Sequence, residues 1–254
     1  MFDKTMEIIT TEGERFISTS GVIYGGQIPG EKFFIYLLLF ALIAYFIGNV
    51  SPSTILARAR GLDIKKEGSG NAGTTNALRV MGKKAAVITL AIDIVKGMIA
   101  VVIGWIALGY PGAMVCTLCV VIGHVWPVIY RFRGGKGIAT SFGALLAFDP
   151  LLAVIELLVV ALFTLVSRRM SVGSIAGLIL LPVAVFFLDV PFFRLSILLS
   201  LILLFKHRQN IVRIVKREEP PLGFLSAKKK KNEDNIGSDD VMTEQKQDQN
   251  GGGM

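Results

Sequence analysis

The chain has 254 residues, 52% of them hydrophobic and 18% charged, with a mean hydropathy of +0.60. That balance excludes an ordinary soluble domain and predicts a membrane protein. The net charge of +8, from 27 Lys and Arg against 19 Asp and Glu, falls between apolar runs, so it reports topology beside anionic headgroups rather than nucleic-acid binding.

Residues 1–32 read as an N-terminal extension. They are mixed and mildly acidic, as in an exported tail or a surface helix. No basic segment followed by a compact apolar core is present, so a cleaved signal peptide is not expected. Seven apolar runs follow, at 33–50, 85–108, 112–130, 138–148, 151–166, 172–188 and 192–205. The fourth is shorter than the roughly 20 residues that cross a bilayer unaided. The pattern predicts an all-α integral membrane protein with about seven transmembrane helices. Cys116 and Cys119 lie one helical turn apart inside the third run, which reads as packing rather than redox or metal chemistry.

Charge placement orients these spans. The first link carries Arg58, Arg60, Lys65, Lys66, Arg79, Lys83 and Lys84; the third carries Arg131, Arg133 and Lys136; the fifth carries Arg168 and Arg169. The even links contribute only Arg194. Basic links stay in the cytoplasm, so the N-terminus is expected outside and the C-terminus inside. Residues 221–254 are rich in Lys, Asp, Glu, Gln, Asn and Gly, a composition that buries too little apolar surface to order itself. They read as a disordered cytoplasmic tail.

Chemistry concentrates in the basic links. In Gly68-Ser69-Gly70-Asn71-Ala72-Gly73-Thr74-Thr75-Asn76-Ala77-Leu78-Arg79, glycines allow close backbone approach and positive φ, exposing N–H groups to an anion. Ser, Asn and Thr add neutral hydrogen bonds, and Arg79 adds charge. The segment reads as a phosphate cradle, with a capped turn as the plain alternative. It matches G-x-G-x-x-G, but no strand precedes it, so a dinucleotide site is rejected. The second cluster holds Gly123, His124 and Pro127, then Phe132-Arg133-Gly134-Gly135-Lys136-Gly137. It lacks the first glycine and the Ser or Thr of a Walker loop, yet Lys136 reads as a phosphate ligand. His124 is either a buried imidazole bonded to a carbonyl or part of the site.

The third cluster, Lys206-His207-Arg208-Gln209-Asn210-Ile211-Val212-Arg213, places His207, Asn210 and Arg213 on one helical face. Snorkelling cations at a membrane exit are the alternative for Arg208. Asp93 and Lys96, i and i+3 within a span, are expected to neutralise each other. Ser171 and Ser174 open another helix on the basic side, as anion ligands or as caps.

These segments together resemble the membrane-integral bacterial glycerol-3-phosphate acyltransferases that use acyl phosphate as donor. Residues 68–79 resemble that family's G-S-G-N-x-G-x-T-N-x-x-R motif, 93–97 its D-x-x-K-G, 123–140 its G-H-x-x-P and F-[KR]-G-G-K-G, and 206–213 its K-H-R-x-N-I-x-R. The resemblance covers residues 33–220. Arg217 stands where the family pattern commonly has Gly, and Glu219, with Glu218 beside it, takes the place of its acidic residue.

The resemblance implies transfer of a fatty acyl group from acyl phosphate to the 1-hydroxyl of glycerol 3-phosphate, giving lysophosphatidic acid and inorganic phosphate, without cofactor or metal. It implies a multi-pass enzyme of the bacterial inner membrane, working at the cytoplasmic face on membrane lipid; the oligomeric state stays open, and a monomer is compatible with the sequence. An acyl phosphate already carries a good leaving group, so positioning and charge stabilisation suffice. Neither His begins an H-x4-D motif, and no Ser-His-Asp set stands out. Ser69, Arg79 and His207 are the catalytic candidates. Gly68, Gly70, Asn71, Gly73, Thr75, Asn76, Gly134, Gly135, Lys136, Ser171, Ser174, Asn210 and Glu219 are the substrate-binding candidates. Ser69, Asn71, Thr75 and Arg79 suit the donor phosphate; Lys136, His207, Asn210 and one of Ser171 or Ser174 suit glycerol 3-phosphate. Which set takes which substrate stays open, as does the proton acceptor, His207 or a substrate phosphate.

A carrier is the main rival, but carriers need access from both faces, and the outer links here are short. A CDP-alcohol phosphotransferase needs clustered metal-binding Asp residues, and the basic links offer only Asp63 and Glu67. A structural protein would not require the polar loops.

Overall fold

The computed structural model describes residues 7–11, 14–19 and 26–221, so the expected disordered tail lies outside the described residues. The apolar runs become helices because in hydrocarbon every backbone polar group must be satisfied within its own segment. In chain order the elements are β1 (Glu7–Thr11), β2 (Glu14–Thr19), β3 (Gly26–Pro29), α1 (Gly30–Gly48), α2 (Pro52–Arg58), α3 (Thr74–Met81), α4 (Lys83–Val125), α5 (Ile138–Phe148), α6 (Pro150–Ser167), α7 (Met170–Leu188), α8 (Phe193–Lys206) and α9 (Arg208–Val215).

Among the described residues, Lys32–Arg58, Lys83–Tyr130, Pro150–Ser167 and Met170–Leu188 are long and apolar enough to cross a membrane. A further pair, Val190–Lys206 and Arg208–Val215, is bent by 62°. Phe34, Leu38, Leu158, Leu165 and Phe187 are exposed on the outer surface, an arrangement suited to lipid rather than water.

Helix α4 is two antiparallel helices in one. Gly109 leaves helical geometry with φ 63° and ψ −146°. In a continuous helix, residues 104 and 112 would stand about 12 Å apart. Here a Cβ on Gly104 would lie 2.5 Å from the Gly112 carbonyl oxygen, so the chain folds back. Pro111 starts the second half, where a missing N–H is harmless. The apolar runs at 85–108 and 112–130 are therefore distinct segments of one hairpin.

Small residues let the helices touch. A Cβ on Gly123 of α4 would come 2.1 Å from the Tyr45 carbonyl oxygen of α1, and one on Gly143 of α5 would come 2.0 Å from the Ile94 carbonyl oxygen. Between helices that share lipid, such close packing replaces the hydrophobic drive. At the Gly109 end, Tyr110, Phe148 and Phe192 cluster, with ring centroids 5.3 and 4.5 Å from Phe148. Tyr110 donates to Asp189 across 2.6 Å. Asp149 caps α6 by accepting from the Leu151 and Leu152 amides.

The membrane part is helical as expected, but the segment before it is not a surface helix. It is an antiparallel sheet in the order β1-β2-β3, with Thr11 opposite Glu14 and Ile9 opposite Phe16. The β-branched and aromatic residues of 8–11 and 16–19 favour strands. Strand β2 contacts both α1 and α4.

Candidate active site

The loops opposite the Gly109 end are held together by contacts across long stretches of sequence. Lys65 Nζ donates to the Tyr130 carbonyl at 3.2 Å and lies over the Tyr130 ring. Tyr45, from α1, donates to the Trp126 carbonyl at 2.9 Å and accepts from the Val128 amide at 3.1 Å. Asn49, one turn on, accepts from the Ile129 amide at 3.4 Å. These anchors set where the loop at 131–137 begins. Arg131 and Phe132 then adopt left-handed conformations, φ 56° and 59°, strain of the kind that surrounding structure must hold in place at functional sites.

Asn76 organises the first loop. Its Nδ2 donates to the Ile64 and Glu67 carbonyls at 3.2 and 3.0 Å, and its Oδ1 accepts from the Ser69 amide at 2.9 Å. Both ends of this buried amide are committed, so Asn76 shapes the loop instead of reaching a ligand. Gly68 and Gly70 have φ of 57° and 69°. A Cβ on Gly68 would come 2.3 Å from Asn76 Oδ1, so the turn and its clasp require glycine there. Gly73 stands just ahead of α3 at its N-cap. Among the described residues, the exposed side chains of Ser69, Thr75 and Arg79 make no hydrogen bond. Half-buried Asn71 sits beside Gly73. The Thr74 hydroxyl is buried without a partner; it sits within the recognised motif, yet nothing in the sequence distinguishes it from Thr75.

The second loop closes onto the first. The Gly135 amide bonds the His124 carbonyl at 3.2 Å. A Cβ on Gly135 would lie 2.7 Å from the Ala72 carbonyl oxygen and 2.2 Å from His124 Nε2, and one on Gly134 would strike the His124 carbonyl. Neither position admits a side chain. Lys136 then projects onto α9, where its Nζ donates to Asn210 Oδ1 at 2.5 Å. Burial pushes the Lys136 pKa down to about 8, opposed by Glu219 and reinforced by Arg213, Arg79 and Lys206. Arg79 of the first loop thus lies within electrostatic reach of Lys136.

The chain bends at His207, between α8 and α9, and the buried imidazole occupies the corner. Nδ1 lies 2.8 Å from the Leu203 carbonyl. A carbonyl only accepts, so Nδ1 carries the proton and Nε2 keeps its lone pair. Burial pushes its pKa down to about 4, countered by the Leu203 hydrogen bond and lowered further by Lys136. The ring is neutral at neutral pH.

Glu219 returns to this corner through a left-handed turn. The Arg217 amide bonds the Ile214 carbonyl, the Glu218 amide bonds the Arg213 carbonyl, and Arg217 has φ 59°. This is the helix-ending geometry in which glycine is favoured. The exposed Glu218 and buried Glu219 are thereby distinguished. Glu219 accepts from Asn210 Nδ2 at 2.6 Å and from Arg213 Nε at 2.7 Å, and its carbonyl accepts from Arg169 at 2.8 Å. Burial pushes the carboxyl pKa up, but Ser171, Arg213 and Asn210 hold it below the usual range. The Ser171 hydroxyl faces that carboxylate without reaching hydrogen-bonding geometry. Glu219 is expected from the motif as a substrate ligand, but its oxygens are already engaged. It turns the Asn210 carbonyl oxygen toward Lys136. Ser174 is also spoken for: its hydroxyl donates to the Met170 carbonyl one turn back at 3.0 Å.

Beneath the loops, Asp93 and Lys96 form the expected pair, 2.6 Å apart. His124 joins them, with Nδ1 2.7 Å from Lys96 Nζ and 3.3 Å from Asp93. Its ring partner is therefore a lysine, not the backbone carbonyl of the first of its two readings. Tyr45 and Asn49 are not singled out by sequence, and Arg169 is read there only as a charge that marks topology. The signal for the first two is their i, i+4 spacing at the end of an apolar run.

An apolar outer surface and a cationic, glycine-lined polar cluster at one end of the helices mark a membrane-integral protein with a candidate anion site. Its family follows from close relatives. Residues 38–217 match the model of the glycerol-3-phosphate acyltransferase family, and the chain belongs to that family. It is 44% identical over 191 residues to the glycerol-3-phosphate acyltransferase of Thermoanaerobacter pseudethanolicus, covering 74% of this chain and 96% of the relative. It is 42% identical over 194 residues to that of Finegoldia magna, covering 75% and 98%. Two solved structures of PlsY (YgiH), an integral membrane glycerol 3-phosphate acyltransferase, are similar at 32% identity. The glycerol 3-phosphate form has a TM-score of 0.71 and covers 76% of this chain and 98% of that one. The lysophosphatidic acid form has a TM-score of 0.67, with 73% and 95% covered. The chain is an acyltransferase.

Proposed function

We propose that the chain transfers a fatty acyl group from acyl phosphate to the 1-hydroxyl of glycerol 3-phosphate, releasing lysophosphatidic acid and inorganic phosphate. The observation that carries this reading is the corner where Lys136, Asn210 and the unprotonated Nε2 of His207 converge beside Arg79. There, cations suit a phosphate and a neutral acceptor suits a hydroxyl. Lys136, Asn210, His207 and Ser171 take glycerol 3-phosphate. Ser69, Asn71, Thr75 and Arg79, on the turn that Gly68, Gly70 and Gly73 shape, take the donor phosphate and polarise the acyl carbonyl.

In the reaction, the glycerol hydroxyl oxygen attacks the acyl carbon, the bond from that carbon to the phosphate oxygen breaks, and phosphate leaves with its electron pair. His207 Nε2 accepts the hydroxyl proton. Its low basicity in the empty site rises when a phosphate dianion binds beside it, because neighbouring negative charge favours the imidazolium. No covalent enzyme intermediate is needed.

In this reading the seven apolar helical segments cross the inner membrane of a bacterium, with the N-terminus outside and the loops, site and C-terminus in the cytoplasm. Residues 33–220 hold the activity as a monomer, flanked by the extension 1–32 and the tail 221–254. Thr10→Cys and Asp240→Cys, each in a Cys116→Ser/Cys119→Ser background, test this topology. Opposite labelling sides support it, and same-side labelling overturns it. The chemical test offers purified protein acyl phosphate, acyl-CoA or acyl-carrier protein as donor, with labelled glycerol 3-phosphate and no added metal. Lysophosphatidic acid from acyl phosphate alone is the expected result; product from a thioester overturns the donor assignment.

A further inference from the structure

The buried trio below the site has a geometry that charge neutralisation alone does not require. The Lys96 ammonium hydrogen-bonds two groups from distant parts of the chain, the Val50 carbonyl at 2.6 Å and His124 Nδ1 at 2.7 Å, and forms an ion pair with Asp93 Oδ1 at 2.6 Å. Only Asp93 is local to its helix. Val50 follows α1 and leads through α2 to the first loop, while His124 ends the second half of α4. A lysine placed only to balance Asp93 would need neither.

His124 passes the constraint on. Its carbonyl accepts the Gly135 amide, and its ring lies where a Cβ on Gly135 would come within 2.2 Å of Nε2. Gly135 in turn lies against the Ala72 carbonyl of the first loop, and Lys136 is the next residue. We infer that Lys96 is a positioning residue for the phosphate site, tying the Val50 carbonyl to the His124 ring and so setting where the 134–136 loop presents Lys136. This inference rests on the reading of Lys136 as the glycerol 3-phosphate ligand. Lys96 contacts no reacting atom; it acts through His124 and Gly135.

The test compares Lys96→Met with the charge-balanced double variant Asp93→Asn/Lys96→Met in detergent, with Lys136→Met as reference. For each, KM for glycerol 3-phosphate, KM for acyl phosphate, kcat and the unfolding temperature are measured. The double variant keeps a neutral interior but loses the tie between Val50 and His124. It is expected to unfold within a few degrees of wild type while its KM for glycerol 3-phosphate rises at least tenfold, on the order of one charge-assisted contact misplaced, with KM for acyl phosphate within about twofold. A double variant with wild-type KM for glycerol 3-phosphate overturns the inference, whatever its kcat. So does one that fails to fold, because the pair then has a purely structural role. If Lys136→Met itself leaves that KM unchanged, the site reading fails and the inference falls with it. A raised KM in Lys136→Met but not in the double variant defeats the positioning role alone.

Discussion

Replacing Lys136 with methionine keeps the length and most of the volume of the side chain and removes its charge and three N–H donors. One donor is spent on Asn210, which leaves two for a substrate phosphate. A hydrogen bond to a charged group contributes about 1.5 to 3 kcal/mol, so Lys136→Met is expected to lower kcat/KM for glycerol 3-phosphate about 10- to 150-fold. A fully solvated surface contact would contribute at most about 1 kcal/mol, or roughly fivefold; the half-buried position of Lys136 favours the larger range. The pH dependence supplies a second, independent signature. With its pKa lowered by burial to about 8, Lys136 is charged below that pH and neutral above it, so kcat/KM of the wild type falls as pH rises through about 8. On the acid side it rises as the substrate phosphate gains its second charge near about 6. Lysophosphatidic acid formation at subsaturating glycerol 3-phosphate, measured from pH 5 to 10 for both proteins, reads both effects. The methionine variant is expected to keep the acid limb and lose the alkaline one. A loss under fivefold, or an alkaline limb that survives the substitution, would refute the assignment of Lys136 to the phosphate.

Three further outcomes are expected. His207→Gln retains a polar side chain but loses the Nε2 base, so kcat should fall about 100-fold or more, within the usual range for a general base, while glycerol 3-phosphate affinity by calorimetry changes little; an unaltered maximal rate removes His207 from the chemistry. Asn76→Ala deletes three loop hydrogen bonds at about 1 kcal/mol each, so unfolding in detergent should show about 3 kcal/mol lost, and a change under 1 kcal/mol would mean the first loop stands without its clasp. Arg217→Gly removes a left-handed non-glycine residue, worth about 1 kcal/mol, and should raise the unfolding temperature, whereas Arg217→Val should lower it; the reverse order would show that the turn carries no strain.

The legible part of this protein is what depends on neighbours in sequence. Seven apolar segments, the Asp93–Lys96 pair and the shared face of His207 and Asn210 all follow from periodicity or from spacings of three and four. What escapes depends on partners far along the chain, such as Tyr45 with Trp126, 81 residues apart, and Arg169 with Glu219, 50 apart. The same limit explains why Asn76 and Glu219 read as ligands. Both are polar, lie in the right motifs and sit at the site, but only the fold reveals that both Asn76 amide donors and each Glu219 oxygen already have a partner within the protein. The sheet of 7–11, 14–19 and 26–29 escapes for a different reason: its strands are short and their β-branched runs carry little weight beside a membrane domain.

In the proposed reaction a glycerol hydroxyl attacks the acyl carbon, and phosphate leaves intact with the bridging oxygen. Acyl phosphate carrying oxygen-18 at that bridge, incubated with the purified chain and carbon-13 glycerol 3-phosphate, tests it in one reaction by mass spectrometry. The expected result is carbon-13 lysophosphatidic acid free of oxygen-18, with all the label in inorganic phosphate. Label retained in free fatty acid, with no labelled lysophosphatidic acid formed, would show attack at phosphorus and contradict the account.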